Sequence, residues 1–552
     1  MTELSGLTPR QIDVLDSTER VTLVLGGAGC GKTTVALWAA RVELFRPETR
    51  PWQRMAFLTF SRSAVDQIGG RSRAALRGLG DRVEIATFHA FAYRLVRSFG
   101  RYSGMGQRIP ELQSAASAKL LGAQPDRLRY DDLLPSALEV LQSPGVCALV
   151  ADRWPLIVCD EFQDTSVDQW RLLELLGKRS RLLLLADPHQ MIYTFVPGVT
   201  AERLETARHL ADLVVELEPA SHRDPTGAIP ALADAVRRRD FCHEAVHAAV
   251  QSGRLRVVLD VHDEQLVKVI GAELNRAWRG GSRSFGIFGH SNEGVAWLGN
   301  RLTGAGVDYV LVGIPEAQAE ALSAMTTLLS LAVGKGTGDD VPVAFATFLT
   351  ACSRSRQPPA LATALAGAST LPPALVNRLT AIKDDVVTEG LDALPDTVAT
   401  AWERLGITAG ERAWARAVPA FAAAVRRASR LGLNGDRLLA QVRAETDALR
   451  IGALLESSGA RLPSTQLMNF HQTKGREADA VILVYRDGDY LADRREGEPY
   501  PVASRILYVS LTRARKEVVV LLPAQPHPLV QPFATLAPIL DLVPSPDREY
   551  KD

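Results

Sequence analysis

The stretch that most constrains this chain is VTLVLGGAGCGKTT, Val21 to Thr34. A β-branched and aliphatic run, Val21 to Leu25, breaks into Gly26, Gly27, Ala28, Gly29, Cys30, Gly31, Lys32, Thr33 and Thr34, and an apolar helical pattern continues through Val35, Ala36 and Trp38. The order reads as strand, phosphate loop and helix start. The glycines let successive backbone N–H groups turn toward phosphate at the positive end of a helix. Lys32 can then reach the β- and γ-phosphates, and the Thr33 hydroxyl can ligate Mg²⁺. A glycine-rich turn that binds nothing is the bland alternative, and the full G-x-x-x-x-G-K-T spacing with these flanks argues against it. By itself the loop says only that a nucleotide is bound.

At 552 residues the chain exceeds what one core supports, so several subdomains are expected. Basic and acidic residues number 63 each, so a nucleic-acid surface would be a local groove rather than a global basic field. Cys30, Cys147, Cys159, Cys242 and Cys352 are scattered without a C-x-x-C pair, which argues against a disulfide framework, a zinc ribbon or an iron–sulfur cluster. A reducing cytoplasm is the expected location. The first residues, MTELSGLTPR, lack a signal pattern, and no apolar run approaches a membrane span, so no membrane partner is expected.

Ahead of the loop, Gln11 carries a carboxamide whose donor and acceptor suit an adenine edge. Met55 to Phe60 and Val83 to Thr87 read as buried strands, each followed by polar or aromatic residues. Side chains just past the ends of parallel strands sit where α/β sheets bind ligands. Phe60, Phe88, His89 and Phe91 are therefore candidate stacking or groove residues for bases, with corner packing as the alternative for Phe88 and Phe91. Gly100 to about Arg153 reads as a helical insertion without strands. Leu156 to Cys159 then runs into Asp160, Glu161, Phe162, Gln163 and Asp164. Adjacent carboxylates at the end of a buried strand are costly unless they hold a cation or do chemistry. Asp160 would hold Mg²⁺ through water, and Glu161 would orient and deprotonate an attacking water. Arg181 to Asp187 is a further strand; Gln190 beyond it could sense a γ-phosphate, while Tyr193 and Phe195 project toward nucleic acid.

GGAGCGKT, TFHAF, DEFQD and ADPHQMIYTF together resemble the UvrD/Rep family of superfamily 1 helicases. LEPASHRDP (Leu217 to Pro225), the stretch Ser284 to Gly313, LMNFHQTKGREADAVIL (Leu467 to Leu483) and RILYVSLTRAR (Arg505 to Arg515) are similar to its later motifs, in the same order. The resemblance implies an α/β fold of two RecA-like P-loop domains, each interrupted by a helical insertion. The expected boundaries are 1–96 with 154–206 for the first motor domain and 97–153 for its insertion, then 207–314 with 462–552 for the second and 315–461 for its insertion. It implies ATP and Mg²⁺ as cofactors and 3′-to-5′ movement on single-stranded or 3′-tailed DNA, in repair, recombination or genome defence. Arg223 and Arg513 would be paired arginine fingers, Glu477 a ribose contact, and Thr87 and His471 contacts on the DNA side with Arg62. Three departures stand out: His222 where the family has an adenine-stacking tyrosine, Thr34 where relatives often have arginine, and Arg62 with Ser63 in place of Asn-Lys. The segment after Pro523 reads as too short for a fused nuclease. A DNA-gated ATPase that serves a separate nuclease or repair protein is thus the second expectation. On this reading Lys32→Ala or Glu161→Gln abolishes DNA-stimulated ATP turnover while single-strand binding survives; unchanged turnover in either variant would refute the site.

Overall fold

The short apolar runs ahead of polar motifs become strands covered on both faces, as helices crossing over a parallel sheet require. The computed structural model describes residues 7–76, 78–102, 111–124, 127–193, 198–218, 221, 223–311, 315–353, 355, 357–455, 464–489, 491–492 and 496–537. Its strands are β1 (Val21–Leu25), β2 (Met55–Thr59), β3 (Val83–Thr87), β4 (Glu111–Gln113), β5 (Arg127–Arg129), β6 (Leu156–Cys159) and β7 (Arg181–Ala186). They continue as β8 (Leu213–Glu216), β9 (Leu255–Val258), β10 (Phe285–Gly289), β11 (Val310–Leu311), β12 (Thr465–Asn469), β13 (Ala478–Val484) and β14 (Ala514–Leu521). One sheet runs β3-β2-β6-β7-β1-β8 and another β11-β12-β10-β13-β14-β9, with every pairing parallel. This is the α/β architecture of two RecA-like P-loop domains.

Alternation along the strands divides each sheet between two cores. Val24, Phe57, Val158 and Leu185 face the helices Pro9–Asp16, Lys32–Leu44 and Arg62–Leu76. Leu23, Leu58, Ile157 and Leu184 face Phe88–Phe99, Leu133–Leu141 and Val167–Gly177. The first insertion joins this second core through Leu112, Leu128, Leu133 and Leu134. So short a segment cannot bury a core of its own and borrows one.

The stretch 315–455 does bury its own core. Trp402 and Trp414 stack with ring centroids 5.6 Å apart, and Phe348 meets the Trp402 ring edge-on at 4.5 Å. Its last residue packs elsewhere. Leu455 belongs to the core of the first domain, and its carbonyl accepts the Thr87 hydroxyl at 2.9 Å. Glu316 accepts the Ala116 N–H at 2.7 Å and Arg450 donates to the Leu112 carbonyl at 3.3 Å, so the two insertions are docked on each other.

Two sequence expectations are corrected. The first insertion contains β4 and β5, a parallel pair of three-residue strands too short to show a period. β8 pairs with β1, so the first sheet extends through Glu216 rather than closing at 206. β8 is a half-exposed edge strand and lacks the continuous apolar run that marked the central ones.

Trp402 is 1% exposed and donates its indole N–H to the Ala409 carbonyl at 3.0 Å, whereas Phe45 is 66% exposed. Trp402→Ala should therefore cost about 3–5 kcal/mol in denaturant unfolding followed by far-UV circular dichroism. Phe45→Ala should stay within about 0.5 kcal/mol.

Candidate functional site

β1 ends at Leu25 and the helix Lys32–Leu44 begins seven residues on, with its first N–H groups aimed back across the loop. Gly29 and Gly31 have φ of 84° and 90°, a region open to glycine at no steric cost, and Gly31 caps the helix. Lys32 Nζ donates to the Gly26 and Gly27 carbonyls at 2.6 and 2.9 Å and lies 3.9 Å from Asp187. Burial works against its charge, but Cys30, Asp187, Glu161 and Asp160 outweigh it and hold the ammonium above its ordinary pKa. A loop of turned-in N–H groups around a retained cation suits a polyphosphate.

β6 delivers the acidic pair. Asp160 is 7% exposed, and Glu161 sits at φ 56°, a left-handed backbone that turns its side chain away from the strand direction. Thr33 donates its hydroxyl to Asp160 Oδ2 at 3.4 Å, bringing together a hydroxyl and a carboxylate, the hard oxygen pair that Mg²⁺ takes beside phosphate. Burial, and then Glu161, raise the Asp160 pKa to about 6, so this carboxylate gains most from a cation. Burial also pushes Glu161 up, but Lys474, Lys32 and the Gln163 amide prevail and lower it to about 2. Glu161 is thus ionised at neutral pH, as a proton acceptor must be.

The second domain reaches into this cluster. Lys474, buried, makes an ion pair with Asp164, lies 3.3 Å from Glu161 Oε2 and donates to the Gln190 carbonyl at 3.0 Å. Arg513 is 2% exposed, and its Nη2 donates to Gln190 Oε1 at 3.1 Å; Gln190 Nε2 in turn donates to Asp187 Oδ2 at 2.7 Å. Burial and the neighbouring Arg223 lower the Arg513 pKa to about 10, still charged at neutral pH. Arg223 pairs with Glu477 at 2.6 Å and donates to the Thr512 carbonyl at 2.9 Å. A Cβ added to Gly29 would meet Ser221 Oγ at 2.4 Å and Arg223 Cβ at 3.3 Å, so Ser221 and Arg223 lie directly on the phosphate loop. Lys32, both carboxylates, Gln190 and both arginines therefore line one cleft.

On the adenine side, Gln11 is 4% exposed, and its carboxamide oxygen accepts the Thr8 N–H at 3.1 Å in a helix-capping box. That bond takes one lone pair of the oxygen. Thr34 is exposed on the helix. Glu477 pairs with Arg223 and Arg515 and accepts from Gln67 of the first domain at 2.5 Å. His222 lies outside the described residues.

The expected DNA contacts separate into groups. Phe60 stacks at a tilt on Tyr193 with centroids 4.6 Å apart, and Tyr193 donates its hydroxyl to the His471 carbonyl at 3.0 Å, which links the two domains at the strand ends. Phe60, Thr87 and Tyr130 line a cavity of about 330 Å³ with Gln113, Glu316 and Leu455. Thr87 also caps the helix Phe88–Phe99. His89 stacks on Tyr130 with centroids 3.8 Å apart. Phe88 is corrected: at 1% exposure it is a core residue and offers no face to a base, and Phe91 packs beside it against Trp154. The Arg62 side chain and Phe195 lie outside the described residues. Sequence reasoning passed over Lys474 and Tyr508; both stand inside quoted motifs, HQTKGREAD and RILYVSLTRAR, and only their burial in the cleft singles them out.

The family model described as an AAA domain matches residues 11–196. The chain is 41% identical over 88 residues to the RecBCD enzyme subunit RecB of Mycolicibacterium smegmatis, covering 15% of this chain and 8% of that protein. It is 23% identical over 250 residues to the ATP-dependent DNA helicase PcrA of Bacillus subtilis, covering 34% of each. It is 35% identical over 81 residues to the exonuclease/helicase subunit RexA of Lactococcus lactis, covering 14% of this chain and 7% of that protein. The chain thus spans about a third or less of these relatives. Among the described residues no single helix is long and apolar enough to cross a membrane.

Burial lowers the His89 pKa to about 4. Between that value and the ordinary one near 6.5 the unfolded chain binds a proton that the folded chain refuses. Stability should therefore fall as pH drops from about 6.5 toward 4, by up to roughly 1.4 kcal/mol per unit. Replacing His89 with Gln should flatten that slope in denaturant midpoints measured across the window.

Proposed function

We propose, on the premise that this chain belongs to the UvrD/PcrA-like superfamily 1 helicase family, that it is an ATP- and Mg²⁺-dependent motor moving 3′ to 5′ along single-stranded DNA. The reading rests on one observation above the others: Arg513 of the second domain reaches Gln190 of the first at 3.1 Å, beside Lys32, Asp160 and Glu161. ATP supplies the scissile phosphoanhydride and Mg²⁺ the charge that screens it. Lys32 and the loop N–H groups would grip the phosphates, and Thr33 with Asp160 would hold the metal. Glu161 takes the proton of the attacking water, Gln190 orients that water, and Arg223 and Arg513 neutralise charge that develops in the transition state.

The same contacts give DNA a way to gate hydrolysis. A strand lying across Phe60, Tyr193 and His471 shifts the short segment that also carries Lys474, and with it the ion pair on Glu161. Closure of the cleft around nucleotide and reopening after hydrolysis then alternate the grip of two domains on the strand. Such a motor works where chromosomal DNA is, in the cytoplasm of a bacterium.

A second reading has its own support. Two of the relatives carry names of multi-subunit enzymes, RecB of the RecBCD enzyme and the exonuclease/helicase subunit RexA. Here the chain is the ATPase partner of a separate nuclease or repair protein and unwinds little alone. Strand displacement on a 3′-tailed duplex, with and without such a partner, separates the two readings.

ATP turnover measured with single-stranded DNA, duplex DNA and RNA should be stimulated most by single-stranded DNA. Loss of an arginine finger removes about 10³–10⁵ of kcat in motors of this chemistry. Arg513→Ala should therefore lower kcat by about a thousandfold or more with DNA affinity unchanged, and turnover within threefold of the parent would sink the shared-cleft assignment.

A further inference from the structure

Tyr508 stands on the helix Ala503–Leu511, a few residues before Arg513, and is 4% exposed. Its hydroxyl oxygen accepts the Ala28 N–H at 3.3 Å, and a Cβ built on Gly27 would lie 3.7 Å from it. The ring meets His189 edge-on with centroids 6.2 Å apart. Burial and the nearby Asp187 hold the phenol well above its ordinary pKa, so it keeps its proton. A phenol that accepts one hydrogen bond still has its own O–H to donate.

We propose that Tyr508 is a contact to the terminal phosphate of the nucleotide, supplied by the second domain, and that it lets the cleft distinguish a nucleoside triphosphate from a diphosphate. The inference rests on the ATP-binding reading above. Ala28 precedes the N–H groups of the helix start, so the hydroxyl lies on the outer lip of the phosphate loop. Asp187 and Arg513 both act on this phenol, Asp187 lies 3.9 Å from Lys32 and 2.7 Å from Gln190, and Arg513 lies 3.1 Å from Gln190, so the hydroxyl belongs to the cluster assigned above to the phosphates. Ala28 and Tyr508 also share one apolar core, so the contact holds the loop against the second domain. The bond to Ala28 is long for an N–H···O contact and needs little to readjust as the hydroxyl turns its proton to an anionic oxygen. If Tyr508 only packed the interface, phenylalanine would serve as well.

The test is equilibrium binding of fluorescent non-hydrolysable ATP and of fluorescent ADP, each with Mg²⁺, to the full chain and to Tyr508→Phe. A hydrogen bond to a charged group predicts that the variant loses about ten- to a hundredfold in affinity for the triphosphate, while diphosphate affinity stays within about twofold. The ratio of the two affinities is read on folded protein only, so partial unfolding of the variant does not blur it. An unchanged ratio would overturn the assignment of Tyr508. A parent chain that binds neither nucleotide would instead overturn the ATP-binding reading beneath it.

Discussion

The rest of the molecule depends on a lysine of the second sheet buried among carboxylates of the first. Lys474 is 3% exposed between Asp164 and Glu161. Taking such an ion from water costs several kcal/mol unless partners meet it. Burial alone would leave the acidic cluster reluctant to ionise, and Asp164 is raised to about 6 even with the lysine present. Neither half is therefore comfortable alone: the carboxylates need the cation, and the cation needs the cleft. The charge balance of this cluster is a property of the two sheets together rather than of either one.

Packing reinforces this conditional arrangement. Ala28 and Ile192 belong to the first domain by sequence, yet they are buried in the core that covers one face of the second sheet. The phosphate loop and the segment after Gln190 are thus held partly by the second domain. The opposite end of the interface is tied differently. There the helical insertions meet through polar contacts, Glu316 to Ala116 and Arg450 to Leu112, and through apolar packing of Leu120 from the first against the core of the second.

The chemistry of the site was legible wherever it depended on residues adjacent in sequence. Strand, loop and helix at Val21–Thr34, and LIVC running into Asp160 and Glu161, announce themselves because a buried apolar run that ends in charge has few physical explanations. What escaped were contacts that no apolar or charged run marks. Gln11 looked like a surface carboxamide, but it is 4% exposed and its oxygen accepts the Thr8 N–H in a helix cap. Phe88 occupies a position just past a strand end, as Phe60 does, yet the helix it begins turns it inward among Leu23, Leu58 and Ile157. Edge strands with half-exposed faces, such as β8, carry no continuous apolar signal, and β8 was assigned to the second motor domain although it pairs with β1.

The amino-acid sequence by itself determined the strand, glycine-rich loop and helix of Val21–Thr34, the α/β class with its parallel sheets, and the carboxylates that follow the strand Leu156–Cys159. Local spacing was enough, since a phosphate loop and its strand are short-range objects. Only the tertiary structure decided that Lys474 sits on Glu161, that Arg223 lies on Gly29, and that Tyr193 joins the domains over His471. Those pairs lie far apart along the chain, and no periodicity in a sequence encodes which strand end will face which across a cleft. That choice was made by the order in which the parallel strands assemble into two sheets.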